Sequence, residues 1–380
     1  MNLSYWERQQ WFGDFDVVII GSGIVGLSAA LQLKRREGSL KIAVLERGFL
    51  PTGASTKNAG FACFGSPSEI LDDLKSHSEK EIIETITKRY QGLQLLLDEV
   101  GESKLGYLQW GSNELFTAAQ NELFEKCESQ LTYLNGLVQE ATGLKEAMFL
   151  NSNSIKSFDF SGFDQAIGHQ FEGQIDSGKM MQQLLSKVEA LGVSVFNGFK
   201  VAQLHSDTPF CEIVEKSGVT IRSKQVIVAT NGFAQQLMPE LVVKPARAQV
   251  LITKPIRNLK VKGTFHMDEG YYYFRNVGDR ILFGGGRNLD FEGETTTEME
   301  LSAIIQHQLK GLLQEKIVPN HLVEIDYSWS GIMGVGNQKK AIVSEVQPRV
   351  FCAVRLGGMG IAIGSQIGKE VADLCLGINE

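Results

Sequence analysis

Apolar and polar positions follow a strand–helix–strand order between residues 17 and 47. Residues 17–20 form a continuous apolar run, which is typical of a strand buried on both faces. Good helix formers fill positions 27–34, and a second apolar run over 41–45 ends at Glu46. This order predicts a parallel βαβ unit and therefore a doubly wound α/β sheet.

A glycine pattern joins the first strand to the helix. Gly21, Gly23 and Gly26 fit G-x-G-x-x-G, which gives a tight turn, close approach of a pyrophosphate, and close packing of the helix on the strand. Glu46 follows at the spacing where a carboxylate binds the adenosine ribose hydroxyls, and an acid there disfavours NADP. The pattern predicts a dinucleotide site and leaves open a nicotinamide or a flavin. The alternative is a glycine-rich turn of another α/β fold.

Later segments predict two alternating kinds of structure. Apolar residues recur at helical spacing over 69–100 and 117–140, without neighbouring parallel strands, so these helices are assigned to a separate lobe. Strand and helix patterns return over 173–232 and again after residue 350, whereas 244–287 contains long alternating strands typical of an antiparallel sheet. A further helix is expected over 297–313. The predicted fold is α/β (α+β overall), with a Rossmann-like domain over 1–75, 165–243 and 336–380 and a substrate domain over 76–164 and 244–335.

Length and charge narrow the function classes. The chain has 380 residues, which suits two domains, and its net charge of −7 argues against nucleic-acid binding. No signal peptide or membrane-length apolar run is visible. Five scattered cysteines without C-x-x-C indicate the cytoplasm, and the six histidines show no metal-ligand spacing, so no metal site is expected.

Two segments bear on the choice between flavin and nicotinamide. "VIVATNG" at 226–232 reads as a buried strand that ends in a turn, which can place backbone against a cofactor. "RLGGMGIAIG" at 355–364 combines close-approach glycines with a helix expected from about Ser365. A helix N-terminus stabilises the negative charge of a reduced flavin, so this turn favours a flavin. The alternative is a turn that only packs the last helix.

The chain resembles the FAD-dependent amine and amino-acid oxidoreductase family, which includes D-amino-acid oxidase, glycine oxidase, sarcosine oxidase and γ-glutamylputrescine oxidase. "VVIIGSGIVGLSAAL", "GASTKNAG", "VIVATNG", "KPARAQVLIT", "RILFGGGR", "WSG" and "GGMGIAIG" occur in that family's order and span nearly the whole chain. The opening "SYWERQQWF" also resembles the N-terminal arm of γ-glutamylputrescine-oxidase-like members.

The resemblance implies a bound FAD, and the absence of the tethering cysteine of sarcosine oxidases implies that it is non-covalent. By motif match, the cofactor-binding residues are Gly21, Gly23, Ile24, Val25, Gly26, Glu46, Arg47, Ser55, Lys57, Asn58, Ala59, Gly60, Val201, Ala229, Thr230, Gly232, Gly358, Met359, Gly360 and Ile361. Arg47 is expected beside the adenine and Met359 to Ile361 beside the flavin ring.

Candidate catalytic residues come from the β-rich segment. Alternation along the strand places Tyr271, Tyr273 and Arg275 on one face and Tyr272 on the other, and a tyrosine and an arginine together, Tyr273 and Arg275, can bind a carboxylate. The alternative is that these are sheet aromatics beside a solvated arginine. Arg247 and Gln249 share a face of a strand that matches a flavin-proximal strand of the family. Lys57 is either an electrostatic aid to the reduced flavin or to oxygen, or a phosphate contact. After "WSG" the chain reads "IMGVGNQKKAIV", without the family's arginine or aspartate, so the usual carboxylate anchor is missing.

These observations together predict oxidation of a C–N bond. The expected substrate is an amine or amino acid, which gives a hydride to flavin and becomes an imine that water hydrolyses, with oxygen as the final acceptor. One alternative is a dehydrogenase of a hydroxy acid or polyol phosphate that passes electrons to a quinone or carrier. Another is a flavin-binding protein without turnover. The expected partners are small molecules, with no nucleic acid and no membrane span.

Overall fold

The computed structural model describes residues 4–206 and 209–378. Its strands are β1 (Phe15–Ile20), β2 (Ile42–Leu45), β3 (Phe61–Ala62), β4 (Ser112–Phe116), β5 (Met148–Leu150), β6 (Gln165–His169), β7 (Gly173–Gln174), β8 (Ser194–Phe196), β9 (Val201–His205), β10 (Cys211–Glu215), β11 (Thr220–Val228), β12 (Lys244–Thr253), β13 (Thr264–Met267), β14 (Tyr272–Val277), β15 (Arg280–Gly285), β16 (Ile325–Val335), β17 (Ile342–Gln347) and β18 (Val350–Val354). Its α-helices are α1 (Tyr5–Gln10), α2 (Ile24–Arg36), α3 (Ala54–Lys57), α4 (Pro67–Asp73), α5 (Glu79–Val100), α6 (Glu102–Leu105), α7 (Asn121–Ser129), α8 (Leu131–Thr142), α9 (Asn153–Ser157), α10 (Ser177–Ala190), α11 (Ala303–Leu312) and α12 (Gly360–Cys375).

The first sheet has the predicted parallel core. Its strand order is β17-β18-β11-β1-β2-β8, and the five strands from β18 to β8 run parallel. β17 is antiparallel at one edge, and β9 and β10 extend the start of β11 as antiparallel neighbours. The helix α2 connects β1 to β2, so the βαβ unit predicted from the sequence is present, and the mixed α/β class with a Rossmann-like domain is confirmed.

Both faces of this sheet are buried, because alternate residues of β1 enter two different cores. Val17 and Ile19 pack with α2, α5, α10 and α12, whereas Val18 and Ile20 pack with β9 to β11 on the opposite face. A strand buried on both faces needs a continuous apolar run, which is what residues 17–20 supply.

The second sheet has the order β16-β12-β15-β14-β13-β4-β6-β5. All of its neighbours pair antiparallel except β13 and β4, which are parallel. α9 and α11 cover one face, where Phe265, Phe274 and Phe283 are fully buried. The opposite face turns toward the first sheet. The predicted antiparallel sheet of the 244–287 segment is therefore present, with strands from earlier in the chain added to it.

Several elements differ from the predictions. α5 does not stand in a separate lobe but packs on α12, and a Cβ on Gly92 would lie 2.3 Å from the Ala362 carbonyl oxygen. Its Glu99 also accepts a hydrogen bond from Gln32 of α2 at 3.0 Å. Residues 165–169 form β6 of the second sheet rather than part of the dinucleotide domain. The helix expected over 117–140 divides into α7 and α8, α11 begins only at Ala303, and the last helix begins at Gly360 instead of about Ser365. Because α12 begins at Gly360, its N-terminus lies directly at the glycine turn.

A helix needs about 20 predominantly apolar residues to cross a bilayer. Within residues 4–206 and 209–378, no helix combines the length and the apolar character that a transmembrane helix needs.

Candidate functional site

One large cleft of about 710 Å³ lies between the two sheets. Its lining begins at the carboxyl end of β1, where a doubly wound sheet binds its ligand, and it continues to the face of β12, β14 and β15 in the second sheet. All of the predicted cofactor residues except Gly26 and Gly232 line it. A volume of this size accommodates an extended ligand together with a small second molecule.

The glycine turn at the start of α2 is tightly constrained. Gly21 has φ +108°, and a Cβ there would lie 2.8 Å from the Ala229 carbonyl oxygen, so only glycine fits without movement. A Cβ on Gly26 would lie 2.0 Å from the Gly21 carbonyl oxygen. Gly26 therefore allows the helix to pack on the strand and does not line the cleft. Gly232 does not line the cleft either, and a Cβ there would lie 2.4 Å from the Met333 carbonyl oxygen.

Glu46 is buried at the end of β2 with both carboxylate oxygens oriented. Its Oε2 accepts hydrogen bonds from the Ser22 hydroxyl at 2.6 Å and the Ser22 N–H at 3.3 Å, and its Oε1 accepts from Gly48 N–H at 2.9 Å. Beside it, the Arg47 guanidinium lies 3.6 Å from the centre of the Phe233 ring. Burial lowers the pKa of Arg47. This end of the cleft thus offers an oriented carboxylate, which suits the hydroxyls of a ribose, and a flat surface, which suits the stacking of an adenine.

The loop before β3 covers the start of α2. The Ser55 hydroxyl accepts a hydrogen bond from Ile24 N–H at 2.9 Å. Asn58 holds the loop closed, because its Oδ1 accepts from Gly60 N–H at 2.7 Å and from the Ser177 hydroxyl at 2.6 Å. The Asn58 side chain is therefore occupied within the loop. Lys57 lines the cleft, and its carbonyl accepts from Trp329 Nε1 at 2.9 Å.

The C-terminal glycine turn is fixed from a distant segment. Asn231 has φ +46°, and its Oδ1 accepts hydrogen bonds from the backbone N–H groups of Arg355 at 3.0 Å and Leu356 at 3.4 Å. A Cβ on Gly357 or Gly360 would meet no atom within 4 Å, so the turn faces open space in the cleft. The "VIVATNG" segment therefore positions the backbone of the glycine turn.

Two long helices point their N-termini into this cleft. The N-cap residues Gly23 of α2 and Met359 of α12 supply no side-chain oxygen, so the first N–H groups of both helices are available to a ligand, apart from the one that Ser55 accepts. The Thr230 hydroxyl, which also lines the cleft, is buried without a hydrogen-bond partner. Two helix N-termini favour an anionic ligand at two separated points.

The second sheet supplies an aromatic wall. As predicted, Tyr271 and Tyr273 share the face that lines the cleft, while Tyr272 enters the core behind it. The Tyr273 ring lies 5.6 Å from Phe61, edge to face, and burial raises the pKa of Tyr273 to about 12. His266 lies on the neighbouring β13 and also lines the cleft, and burial lowers its pKa. Ala248 and Val250 complete the wall with apolar surface.

The structure does not bring Arg247 and Gln249 into the cleft, in contrast to the sequence prediction. Alternation along β12 turns Ala248 and Val250 toward the cleft and sends the other two side chains behind the strand. There the Arg247 guanidinium contacts Glu294 through two hydrogen bonds of 3.0 and 2.6 Å, and Gln249 Nε2 donates to both oxygens of the same carboxylate at 3.0 Å. The Glu294 carboxylate raises the pKa of Arg247.

Arg275 also lies outside the cleft lining, although it is on the predicted face of β14. Its guanidinium donates to the carbonyl oxygens of Ala59, of Ile175 at 3.0 Å and of Asn276 at 3.3 Å. Burial lowers the pKa of Arg275 to about 10. With these acceptors, Arg275 joins the second sheet to the loop around Gly60 and is not free to bind a carboxylate.

Sequence reasoning missed the charged end of the cleft. Glu69 forms ion pairs with Arg89 at 3.0 Å and Lys339 at 3.4 Å, and these two cations hold the pKa of Glu69 at about 2 despite its burial. Arg287 also lines the cleft, directly after the glycines that end β15. The sequence signal that could have identified Arg287 was its position directly after a glycine turn at the end of a strand. The ion-pair partners could not be found, because they lie far apart in sequence.

The fold and the cleft define a dinucleotide-binding protein whose cleft extends from a parallel sheet to an antiparallel sheet. Residues 16–374 match the family described as "DAO: FAD dependent oxidoreductase", and the chain belongs to that family. It is an FAD-dependent oxidoreductase, and the resemblance seen in the sequence is thereby confirmed.

Individual relatives cover almost the whole chain. A protein described as probable oxidoreductase OrdL from Haemophilus influenzae is 23% identical over 401 residues, covering 96% of this chain and 84% of its own length. The gamma-glutamylputrescine oxidoreductase of Escherichia coli is 24% identical over 380 residues, covering 95% and 84%. Among solved structures, L-proline dehydrogenase from P. horikoshii has a TM-score of 0.75 at 17% identity, covering 95% of this chain and 93% of its own.

The residues present fit FAD. The adenosine end has Glu46 and the Arg47–Phe233 pair, the α2 N-terminus suits the diphosphate, and the open glycine turn before α12 leaves room for a flat ring. The unpaired Thr230 hydroxyl offers a further hydrogen bond to a ligand in the cleft.

Proposed function

We propose that this protein oxidises a C–N bond of an amine or amino acid to an imine and that oxygen is the final electron acceptor. The cleft is continuous from the predicted FAD-binding residues to Tyr271 and Tyr273 of the second sheet. This continuity is the observation that carries the proposal. Two of the relatives described above carry the name of a nitrogen-containing substrate, gamma-glutamylputrescine or L-proline. These names support a nitrogen-containing substrate here.

The chain's own residues would place the substrate and exclude water. Ala248, Val250 and Met333 give the wall apolar surface, and Tyr273 closes it from the side of Phe61. FAD, when bound, accepts the hydride from the carbon next to nitrogen. The nitrogen lone pair becomes the second bond of the imine, and water then adds to release a carbonyl compound and the amine. Apolar surroundings keep this water away until the oxidation is complete.

His266 is the residue on this wall suited to take a proton. The substrate amine must lose its ammonium proton before its C–H bond can break, and a neutral imidazole can accept that proton. Burial lowers the pKa of His266 and so favours the neutral form at pH 7. Glu172 and Glu69, which face it from other elements, act in the opposite direction, and His169 adds to the lowering.

The proposal is tested by following the visible absorption of the flavin without oxygen. Glycine, methylamine and L-proline are compared with glycolate, which replaces the amino group of glycine by a hydroxyl. Bleaching by the nitrogen compounds, with recovery and peroxide release on admission of oxygen, is the expected result. Bleaching by glycolate alone would identify a hydroxy-acid dehydrogenase, and slow recovery in oxygen would indicate a quinone or carrier as acceptor. Flavin that none of these compounds or longer amines bleaches would contradict the proposal.

A histidine variant tests the proton step. His266→Gln should slow bleaching at pH 7 by roughly 10²-fold, because the ammonium proton lacks its acceptor. The difference should narrow near pH 10, where a larger share of the amine is already neutral in solution. His307→Gln, which changes an exposed histidine of α11, serves as the matched control and should leave the rate unchanged. Equal rates for both variants would remove His266 from the mechanism.

We also infer a reducing compartment such as the cytoplasm as the place of action. All five cysteines lie within the described residues, where they are buried and form no disulfide. Recovery of the same active protein with and without a thiol reductant would support this inference. A requirement for oxidising conditions would contradict it.

A further inference from the structure

Arg287 is a cation of the cleft wall without a partner acid. It lies directly after β15, lines the cleft beside Gly285 and Tyr271, and forms no ion pair within the described part of the chain. Its Nε is shielded from solvent and has no hydrogen-bond acceptor. Because a buried, unpaired N–H of a charged group is costly, its position calls for an anion that the chain itself does not supply.

Two other cations that line the cleft, Arg89 and Lys339, are already paired. Arg89 and Lys339 share Glu69, and Lys339 also contacts Asp73 at 2.6 Å. Glu294, the acid behind the wall, is occupied by Arg247 through two hydrogen bonds. The charge of Arg287 therefore remains available to a molecule in the cleft.

The Arg287 guanidinium is held in place by aromatic contacts. Its Cζ lies 5.1 Å from the centre of the Phe291 ring, and that ring meets Tyr271 edge to face at 6.0 Å. Gly286, with φ +80°, donates its N–H to the Tyr271 carbonyl at 2.9 Å and so fixes the turn that carries the arginine. A guanidinium oriented before binding loses little freedom when it forms a bidentate pair.

We propose that Arg287 binds a carboxylate of the substrate, so that the enzyme acts on amines that carry an acid group. This inference rests on the proposed amine oxidation. The planar fork of a guanidinium matches the two oxygens of a carboxylate. The anchor expected from the sequence, Arg275, is bonded to backbone carbonyls, and 332–341 contains no arginine. The anchor thus comes from the end of β15.

The experiment compares holoprotein variants on substrate pairs that differ only in the carboxylate. L-Proline is paired with pyrrolidine, and glycine with methylamine. Anaerobic bleaching of the flavin shows which members react, and steady-state turnover with oxygen or an artificial electron acceptor gives the KM of each. Arg287→Met should raise the KM of the carboxylated member roughly 10- to 100-fold and leave the other member unchanged, and Arg287→Lys should lie between. Arg257→Met, which removes an exposed arginine outside the cleft, is the matched control.

Binding of propionate, measured by the change it causes in the flavin absorption spectrum, gives a readout that needs no turnover. The dissociation constant should rise in Arg287→Met by the same factor as the KM and remain unchanged in the Arg257→Met control. Bleaching by pyrrolidine and proline that is equal in wild type and Arg287→Met would overturn the anchor and leave amine oxidation standing. Propionate binding that depends on Arg287, without bleaching by any amine, would support the anchor and contradict the proposed reaction.

Folding of the variants is checked by FAD content and thermal midpoint. If Arg287→Met loses its FAD, the comparison is made with Arg287→Lys, which keeps the charge but lacks the planar fork. Propionate that binds wild type, Arg287→Lys and the control alike, or that binds none of them, would overturn the proposal.

Discussion

At the scale of single residues, the cleft depends on charged groups whose partners are fixed by burial. Glu46 has both oxygens engaged at the end of β2, and Arg275 has its guanidinium engaged by backbone carbonyls. A charged group that is buried and hydrogen-bonded contributes through its partners, and its removal leaves them unsatisfied. We therefore expect a substitution of Glu46 to weaken cofactor binding and a substitution of Arg275 to lower stability.

We expect Glu46→Gln to weaken FAD binding by about 10- to 100-fold, which corresponds to the loss of hydrogen bonds to a charged group. The FAD dissociation constant is measured by titrating the apoprotein and following flavin fluorescence. Glu37→Gln, an exposed change at the end of α2, is the control and should bind FAD like the wild type. Full FAD retention in Glu46→Gln would refute the assignment to the ribose.

We expect Arg275→Met to lower the free energy of unfolding by about 2–4 kcal/mol, because it leaves buried carbonyls of Ala59 and Ile175 without donors. The measurement is a denaturant titration, with Arg257→Met as the exposed control. The KM for a carboxylated amine should stay within about twofold of wild type when the protein is loaded with FAD. A higher KM without loss of stability would return Arg275 to the role of substrate anchor.

At the scale of elements, the N-terminus of α12 reaches the predicted FAD-binding residues because α12 packs very close to α2. A Cβ on Gly368 would lie 2.6 Å from Ser28 Cβ and 2.9 Å from the Val25 carbonyl oxygen. The two helices can approach only where one of them lacks a side chain. The position of the α12 N-terminus in the cleft therefore depends on Gly368, two turns further along the helix.

We expect Gly368→Ala to lower the free energy of unfolding by about 1–3 kcal/mol, since the added methyl forces the helices apart. FAD binding should weaken as well, because the α12 N-terminus moves with the helix. Gly136→Ala is a matched control in α8, where a Cβ meets no atom within 4 Å, and it should raise stability by about 0.5–1 kcal/mol. Stabilisation by both changes would show that α12 tolerates the extra methyl.

At the scale of the whole molecule, Glu114 links the second sheet to the helix α4 that lines the cleft. It is buried on β4, where its carboxyl accepts hydrogen bonds from the Ser68 N–H at 3.1 Å and from the Ser68 hydroxyl. Burial raises the pKa of Glu114 from 4.5 to about 7 against the effect of these bonds. The folded protein therefore keeps a proton that the unfolded chain releases between these two values.

Stability should consequently fall as pH rises from about 4.5 to about 7 and then level off, because over this interval the folded state binds more protons than the unfolded state. Glu114→Gln removes the titration, so its stability relative to wild type should increase from pH 5 to pH 8 by up to about 3 kcal/mol. Thermal midpoints across this range give the comparison, with the exposed change Glu122→Gln as control. Parallel profiles for wild type and Glu114→Gln would contradict the assignment.

The sequence by itself determined the parts of this protein that depend on local physics. A doubly buried strand needs an apolar run and a tight turn needs Gly21, so the βαβ unit could be predicted. The alternation along β14 likewise placed Tyr271 and Tyr273 on one face. The glycine turn before α12 could be located, although the start of its helix was placed about five residues too late.

Only the tertiary structure decided which predicted faces meet the cleft. Period-two alternation says that Arg247 and Gln249 share a face of β12, but the neighbouring strands determine that this face turns away. The Arg275 guanidinium is engaged by the carbonyl oxygens of Ala59 and Ile175, which lie at least 100 positions away in sequence. Arg287 forms no ion pair within the described residues, because the nearby acid Glu294 is bound by Arg247. Electrostatic partners are fixed by distances in space, and a linear pattern does not contain those distances.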